Sequence, residues 1–82
     1  MKVLVNVGVP AIGENFDVLV PDFLRVEEVV KLLVSAVHEA GSHAYTSSGH
    51  EFLCFVEKDV LMKEDDEFRH YGVRNGDHLL LI

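Results

Sequence analysis

Few side chains in this sequence are of a type that does chemistry: one cysteine, Cys54, five histidines, and the acidic run Lys63-Glu64-Asp65-Asp66-Glu67. A nucleophilic thiol needs a lowered pKa and an exposed, electropositive setting. Cys54 shares strand parity with Phe52 and Val56 and reads instead as a small, buried packing residue. His38, His43 and His50 gather around one polar segment, and His70 and His78 lie near the chain's end. Their spacing matches no zinc signature, so they read as surface histidines. Calcium loops need spaced oxygen ligands and a glycine turn, both missing from the acidic run, which reads as a solvated loop able to steer a basic partner. Paired carboxylates for acid–base work would need a cleft to shift their pKa values, and nothing suggests one. The expectation is a protein with no catalytic residue, no metal and no cofactor.

The bulk properties narrow the classes further. The chain of 82 residues is one domain, 1–82, with 49% hydrophobic and 26% charged residues. A domain of this size buries only about 60–65% of its unfolded surface, so most apolar residues are committed to the core and little is left to enclose an active site. The net charge of −7 repels phosphate backbones, which argues against nucleic acid as a partner. No apolar run approaches the roughly 18–20 residues that cross a bilayer, so direct membrane insertion is not expected and a cytoplasmic location is. A single cysteine allows no internal disulfide and suits a reducing compartment.

The elements that position these groups follow from hydrophobic period. From Met1 to Val7 the residues Met1, Val3, Val5 and Val7 alternate with Lys2, Leu4 and Asn6, which is a strand with one buried face. Gly8, Pro10 and Gly13 interrupt it. Phe16, Val18 and Val20 then alternate with Asp17 and Leu19, completing a hairpin with a long turn. From about Arg25 the period changes: Val26, Val29, Val30, Leu33 and Val37 fall on one helical face. Asp22 caps the start or lies just before it, and Gly41 is the natural stop. Strand character returns at Phe52 to Val56 and at Val60-Leu61-Met62. Phe68, Tyr71 and Val73 pin a turn, and Asn75-Gly76 precedes a last strand, Asp77 to Ile82. Strand, strand, helix, strand, short strand, strand is the order of an α+β β-grasp: a mixed sheet of four to five strands with one helix across one face.

That order, with the closing Tyr71-Gly72-Val73-Arg74-Asn75-Gly76-Asp77-His78-Leu79-Leu80-Leu81, resembles ubiquitin-like proteins over essentially the whole chain. The Val20-Pro21-Asp22-Phe23 start, the Val26 helix, the His50 to Asp59 strand and the Gly-Val-x-Asn-Gly-Asp-x-Leu ending resemble the YukD/EsaB group, small bacterial ubiquitin-like proteins associated with type VII secretion. The resemblance implies a cytosolic, non-catalytic protein that acts through contacts with secretion-machinery components. Ubiquitin and the sulfur carriers work through a flexible Gly-Gly tail whose carboxylate is adenylated in a channel too narrow for a Cβ. Here three leucines and Ile82 close the sequence. The expectation is therefore a protein that binds without being conjugated. The alternative is a carrier of the sulfur-transfer type whose Gly-Gly tail lies beyond this sequence.

Period-two alternation also predicts a binding surface. With Val3, Val5, Phe16, Val18, Val20, Cys54, Val56, Leu79 and Leu81 facing the helix, the residues Leu4, Leu19, Leu53, Phe55, Leu80 and Ile82 would share the opposite face. A sheet with one wet face is polar there, and this one is not. A contiguous exposed apolar area on a small protein marks a protein–protein interface. Homodimerisation through that face, or through the free edge of the second strand, is the simplest way to cover it.

Overall fold

The computed structural model describes residues 1–40 and 45–82. Its strands are β1 (Lys2–Val9), β2 (Glu14–Pro21), β3 (Leu53–Phe55), β4 (Val60–Leu61) and β5 (His78–Leu81), with one helix, α1 (Val26–Glu39), and short helical turns at Val56–Lys58 and Phe68–Tyr71. The sheet order is β2-β1-β5-β3-β4. β1 and β5 run parallel, and the other neighbours are antiparallel. This is the expected β-grasp, with α1 laid across one face.

The core lies between α1 and the inner face of the sheet. Val26, Val29, Leu33 and Val37 of the helix are buried, as are Val3, Val5, Val7, Val20, Leu79 and Leu81 of the strands. Phe16 and Val18 are half-buried against the same cluster. β1 runs through Gly8 to Val9, two residues beyond the expected break, because Gly8 stays paired with Asn15 in the ladder. Its missing side chain has a use: a Cβ there would sit 2.9 Å from Leu80 Cδ2, so Leu80 lies over the Gly8 backbone.

The helix starts near Arg25 as expected, and Asp22 takes the second of its two expected places, just before it. Arg25, not Asp22, is the N-cap residue, and the Glu28 carboxylate accepts its N–H at 3.2 Å. The guanidinium has no acceptor with which to complete a capping box. The next two donors are satisfied from a distant segment: Val26 N–H reaches the Asp66 carbonyl at 2.9 Å and Glu27 N–H the Glu64 carbonyl at 3.0 Å. The acidic run thus closes the end of the helix through its backbone. Asp22 instead meets the Met1 amine at 3.2 Å. At the other end Ala40 is the C-cap residue. The expected stop at Gly41 lies outside the described residues, as does His43.

Candidate protein-binding face

The outer face of the sheet is laid out in rows. In the row of Leu4, the partner across β2 is Leu19; in the next row Asp17, Asn6 and His78 stand side by side; beyond it come Asn15, Gly8, Leu80, Cys54 and Leu61. A final row holds Ile82 and Phe52, which exchange backbone hydrogen bonds of 2.9 and 2.6 Å. Leu4, Leu19, Phe52, Leu61 and Ile82 are exposed, and Leu80 and Cys54 half-buried.

This layout corrects two expectations. Leu53 and Phe55 are not on the outer face: each is only 1% exposed and packs in the core. They stand opposite Leu81 and Leu79 in the β3–β5 ladder, and directly opposed residues share a face. Cys54 accordingly turns outward, with Phe52 and Val56. Five consecutive apolar residues carry no alternation, so pattern alone left the parity of this strand open. The register with β5 decides it, since the opposite parity, Phe52, Cys54 and Val56, offers as much apolar surface to bury.

The second correction concerns continuity. Leu4 and Leu80 lie four residues apart along the ladder, which is about 13 Å. Between them runs a hydrogen-bonded polar band: Asn6 Nδ2 donates to Asp17 Oδ1 at 3.1 Å, and His78 pairs with Glu57 through Nδ1 at 2.6 Å and through its backbone N–H at 2.8 Å. The hydrogen bonds from His78 hold the Glu57 carboxyl below its usual range. The apolar outer face is therefore two islands, Leu4 with Leu19 and a larger corner of Leu80, Cys54, Leu61, Phe52 and Ile82.

Turn chemistry fixes the corner in place. Asn75 Oδ1 accepts the Leu4 N–H at 2.8 Å and Gly76 N–H reaches the Leu4 carbonyl at 2.8 Å, so the Asn-Gly pair docks the start of β5 on β1. Gly76 has φ +88, a conformation that side chains disfavour. Asp77 Oδ2 accepts the Arg74 N–H at 2.8 Å, and its carbonyl accepts the Asn6 N–H at 2.9 Å. Each member of the Asn-Gly-Asp motif has a structural task.

The remaining candidate groups are structural too. Tyr71 hydroxyl donates to Asp66 at 2.6 Å and accepts the Lys63 N–H at 2.8 Å, tying the acidic run to the turn before β5. Burial and the Asp66 carboxylate raise its pKa. Glu51 collects three donors, Ser47 hydroxyl at 2.8 Å, Ser48 N–H at 2.8 Å and Tyr45 hydroxyl at 3.0 Å. Partial burial pushes Glu51 up, and these donors outweigh it and hold the carboxyl low. Burial, with the Glu51 hydrogen bond, pushes Tyr45 up to about 12. His50 and His70 are exposed, and His38 sits in the last turn of α1. Among the described residues no three His, Cys, Asp or Glu side chains group as metal ligands.

With this geometry in hand, comparison with known proteins is decisive on family. The family model described as YukD of the WXG100 protein secretion system matches residues 4–81. The chain belongs to the YukD family. A search of curated proteins finds no match. Among solved structures, the EccD5 ubiquitin-like domain from Mycobacterium xenopi is 16% identical, with a TM-score of 0.71, and the match covers 100% of this chain and 93% of that one. Ubiquitin from Caldiarchaeum subterraneum is 16% identical, with a TM-score of 0.74 over 100% of this chain and 92% of its own. A chain of the MycP5-free ESX-5 inner membrane complex is 22% identical, with a TM-score of 0.70; the match spans 99% of this chain but 20% of that one. These likenesses show the ubiquitin-like fold. In the described part of this YukD-family chain, no helix is long and apolar enough to cross a membrane.

Proposed function

We propose that this YukD-family protein is a non-catalytic, cytoplasmic interaction module of a WXG100, or type VII, secretion system, and that it docks on a protein component of that machinery through the corner around Leu80 and Ile82. One observation carries the choice of surface. The corner is the larger of the two apolar islands on the outer face, no element among the described residues covers it, and Phe52, Leu61 and Ile82 are each more than half exposed. Exposed apolar side chains clustered on a small domain are the signature of an interface, and burying them supplies the driving force for association. The family match supports the choice of machinery. The ubiquitin-like domain matched within the ESX-5 inner membrane complex supports docking on a protein.

The test uses Leu80→Asp and Ile82→Asp, both outside the buried core. Copurification with the secretion apparatus, and export of a WXG100 substrate, should be lost in cells carrying either variant at normal protein level. Retention of both in cells with well-folded variants refutes the surface. Sedimentation at increasing concentration examines the homodimer in parallel: self-association abolished by Ile82→Asp would make a second copy the occupant of this corner and would likewise overturn the docking proposed here.

A further inference from the structure

A second surface lies on the other side of the β3–β4 edge. Between α1 and the segment that flanks β3 and β4 runs a groove of about 910 Å³. One wall is a ridge of the helix, Val26, Val30 and Val34, spaced at i, i+4 and i+8; the other is formed by Phe52, Leu61 and Met62. Val30 and Val34 are only half-buried although they stand on the core-facing side of an amphipathic helix. The rim carries Glu27, Glu64 and Asp65, which take part in no ion pair among the described residues, and Lys31 and Lys63 offset only part of that charge. The groove is held open because the backbone contacts of Val26 with Asp66 and of Glu27 with Glu64 fix the acidic run beside the first turn of α1.

We propose that this groove receives an amphipathic helix of a partner protein whose apolar stripe is flanked by lysines or arginines. A ridge of side chains four apart is the surface into which another helix packs, its own ridge entering the groove alongside. An extended peptide would need a strand edge to pair with, and the edge here, β4, is two residues long. A second copy would bring its own charge of −7, and its one long helix carries Glu27, Glu28 and Glu39 against a single lysine. A basic partner is attracted by both the rim and the whole-molecule field, which raises the association rate more than it changes the contact itself. The groove shares Phe52 and Leu61 with the outer corner, and Leu80, which does not line it, tells the two surfaces apart.

The experiment titrates the full chain with three synthetic peptides and follows backbone amide resonances. One peptide places leucines at i, i+4, i+7 and i+11 with lysines between them; the second reorders the same residues to alternate leucine and lysine; the third replaces every lysine of the first with glutamate. The first peptide should shift Val30, Val34 and Lys63, bind about tenfold tighter than the other two, and weaken as salt is added. Val34→Lys, which keeps a good helix former in α1, and Glu64→Lys, on an exposed position, should each weaken it roughly tenfold. Leu80→Asp should leave it unchanged, so that failure here is separable from failure of the outer-face docking. Equal binding of the alternating peptide, binding of the acidic peptide, shifts confined to the outer corner, or concentration-dependent self-association relieved by Val34→Lys would each overturn the proposal.

Discussion

The two faces of this one sheet both carry large apolar side chains, with opposite fates. On the inner face valine and leucine side chains from all but the shortest strand meet α1 and disappear from solvent. On the outer face leucine, isoleucine, phenylalanine and cysteine remain at the surface, and a polar band divides them into two islands. Hydrophobicity alone therefore does not say which residues build the core and which stay at the surface. Position relative to the helix does, and the polar band is what keeps the second set from acting as one greasy face. Asn6, Asp17, His78 and Glu57 are hydrogen-bonded across it, so the band is a fixed boundary.

The contrast can be broken most sharply from the inside. Phe55→Ala should lower the unfolding free energy by about 3–5 kcal/mol, as expected for truncating a fully buried aromatic, measured by chemical denaturation. Were Phe55 on the outer face, the loss would be under about 1 kcal/mol. Gly76→Ala tests the turn that sets the outer corner: at φ +88, with open space around a new Cβ, its cost is conformational and should be about 1–2 kcal/mol. Leu19→Asp and Ile82→Asp, on opposite islands, should each change stability by no more than about 0.5 kcal/mol in the same assay, while differing completely in their effect on docking.

The pH response is a finer probe of the same groups. Glu51 and Glu57 both have folded-state pKa values held below the ordinary 4.5. Their stabilising contribution is fully present above that value and is lost as pH falls through the lowered folded pKa. Thermal midpoints should therefore fall on acidification below about pH 4.5, and Glu57→Gln should flatten that dependence. Tyr45 works with the opposite sign. Its folded pKa, up to about 12 from the ordinary 10.0, favours the neutral phenol, so the contribution holds below pH 10 and is lost as pH rises through the folded value. A tyrosinate absorbance titration should find both tyrosines ionising above 10.0, since Tyr71 is raised as well.

Much of the fold was legible because long periods constrain it. Seven residues of alternation from Met1 to Val7 and a 3.6-residue period along α1 leave one consistent arrangement. The closing Asn75-Gly76-Asp77 motif was legible as a turn, though its hydrogen bonds to Leu4 and Asn6, seventy residues away in sequence, were not. The residues of the outer face were legible in part. Leu4 and Leu19, placed by alternation, and Leu80 and Ile82, placed by parity within the apolar run 79–82, are all found on the outer face. Leu53 and Phe55 were misplaced because an unbroken apolar run has no phase. The division into two islands depends on the β1–β5 register, which sets His78 beside Asn6 and Leu80 beside Gly8, and register between strands so distant in sequence is fixed by tertiary packing. The helix start near Arg25 was legible, but the carbonyls of residues 64 and 66 that close it were not, for a related reason: they come from a distant segment.

The protein carries its own reporter for the central claim. Cys54, its single thiol, is half-buried between Leu80 and Leu61 in the proposed docking corner. Its rate of alkylation should be measured in cells with and without the secretion machinery, beside a Cys54→Ser, Leu19→Cys variant that moves the thiol to the other island. Cys54 should be protected only when the machinery is present, and the thiol at position 19 should react equally in both strains. Equal reactivity of Cys54 in both strains, or protection at position 19 alone, would contradict it.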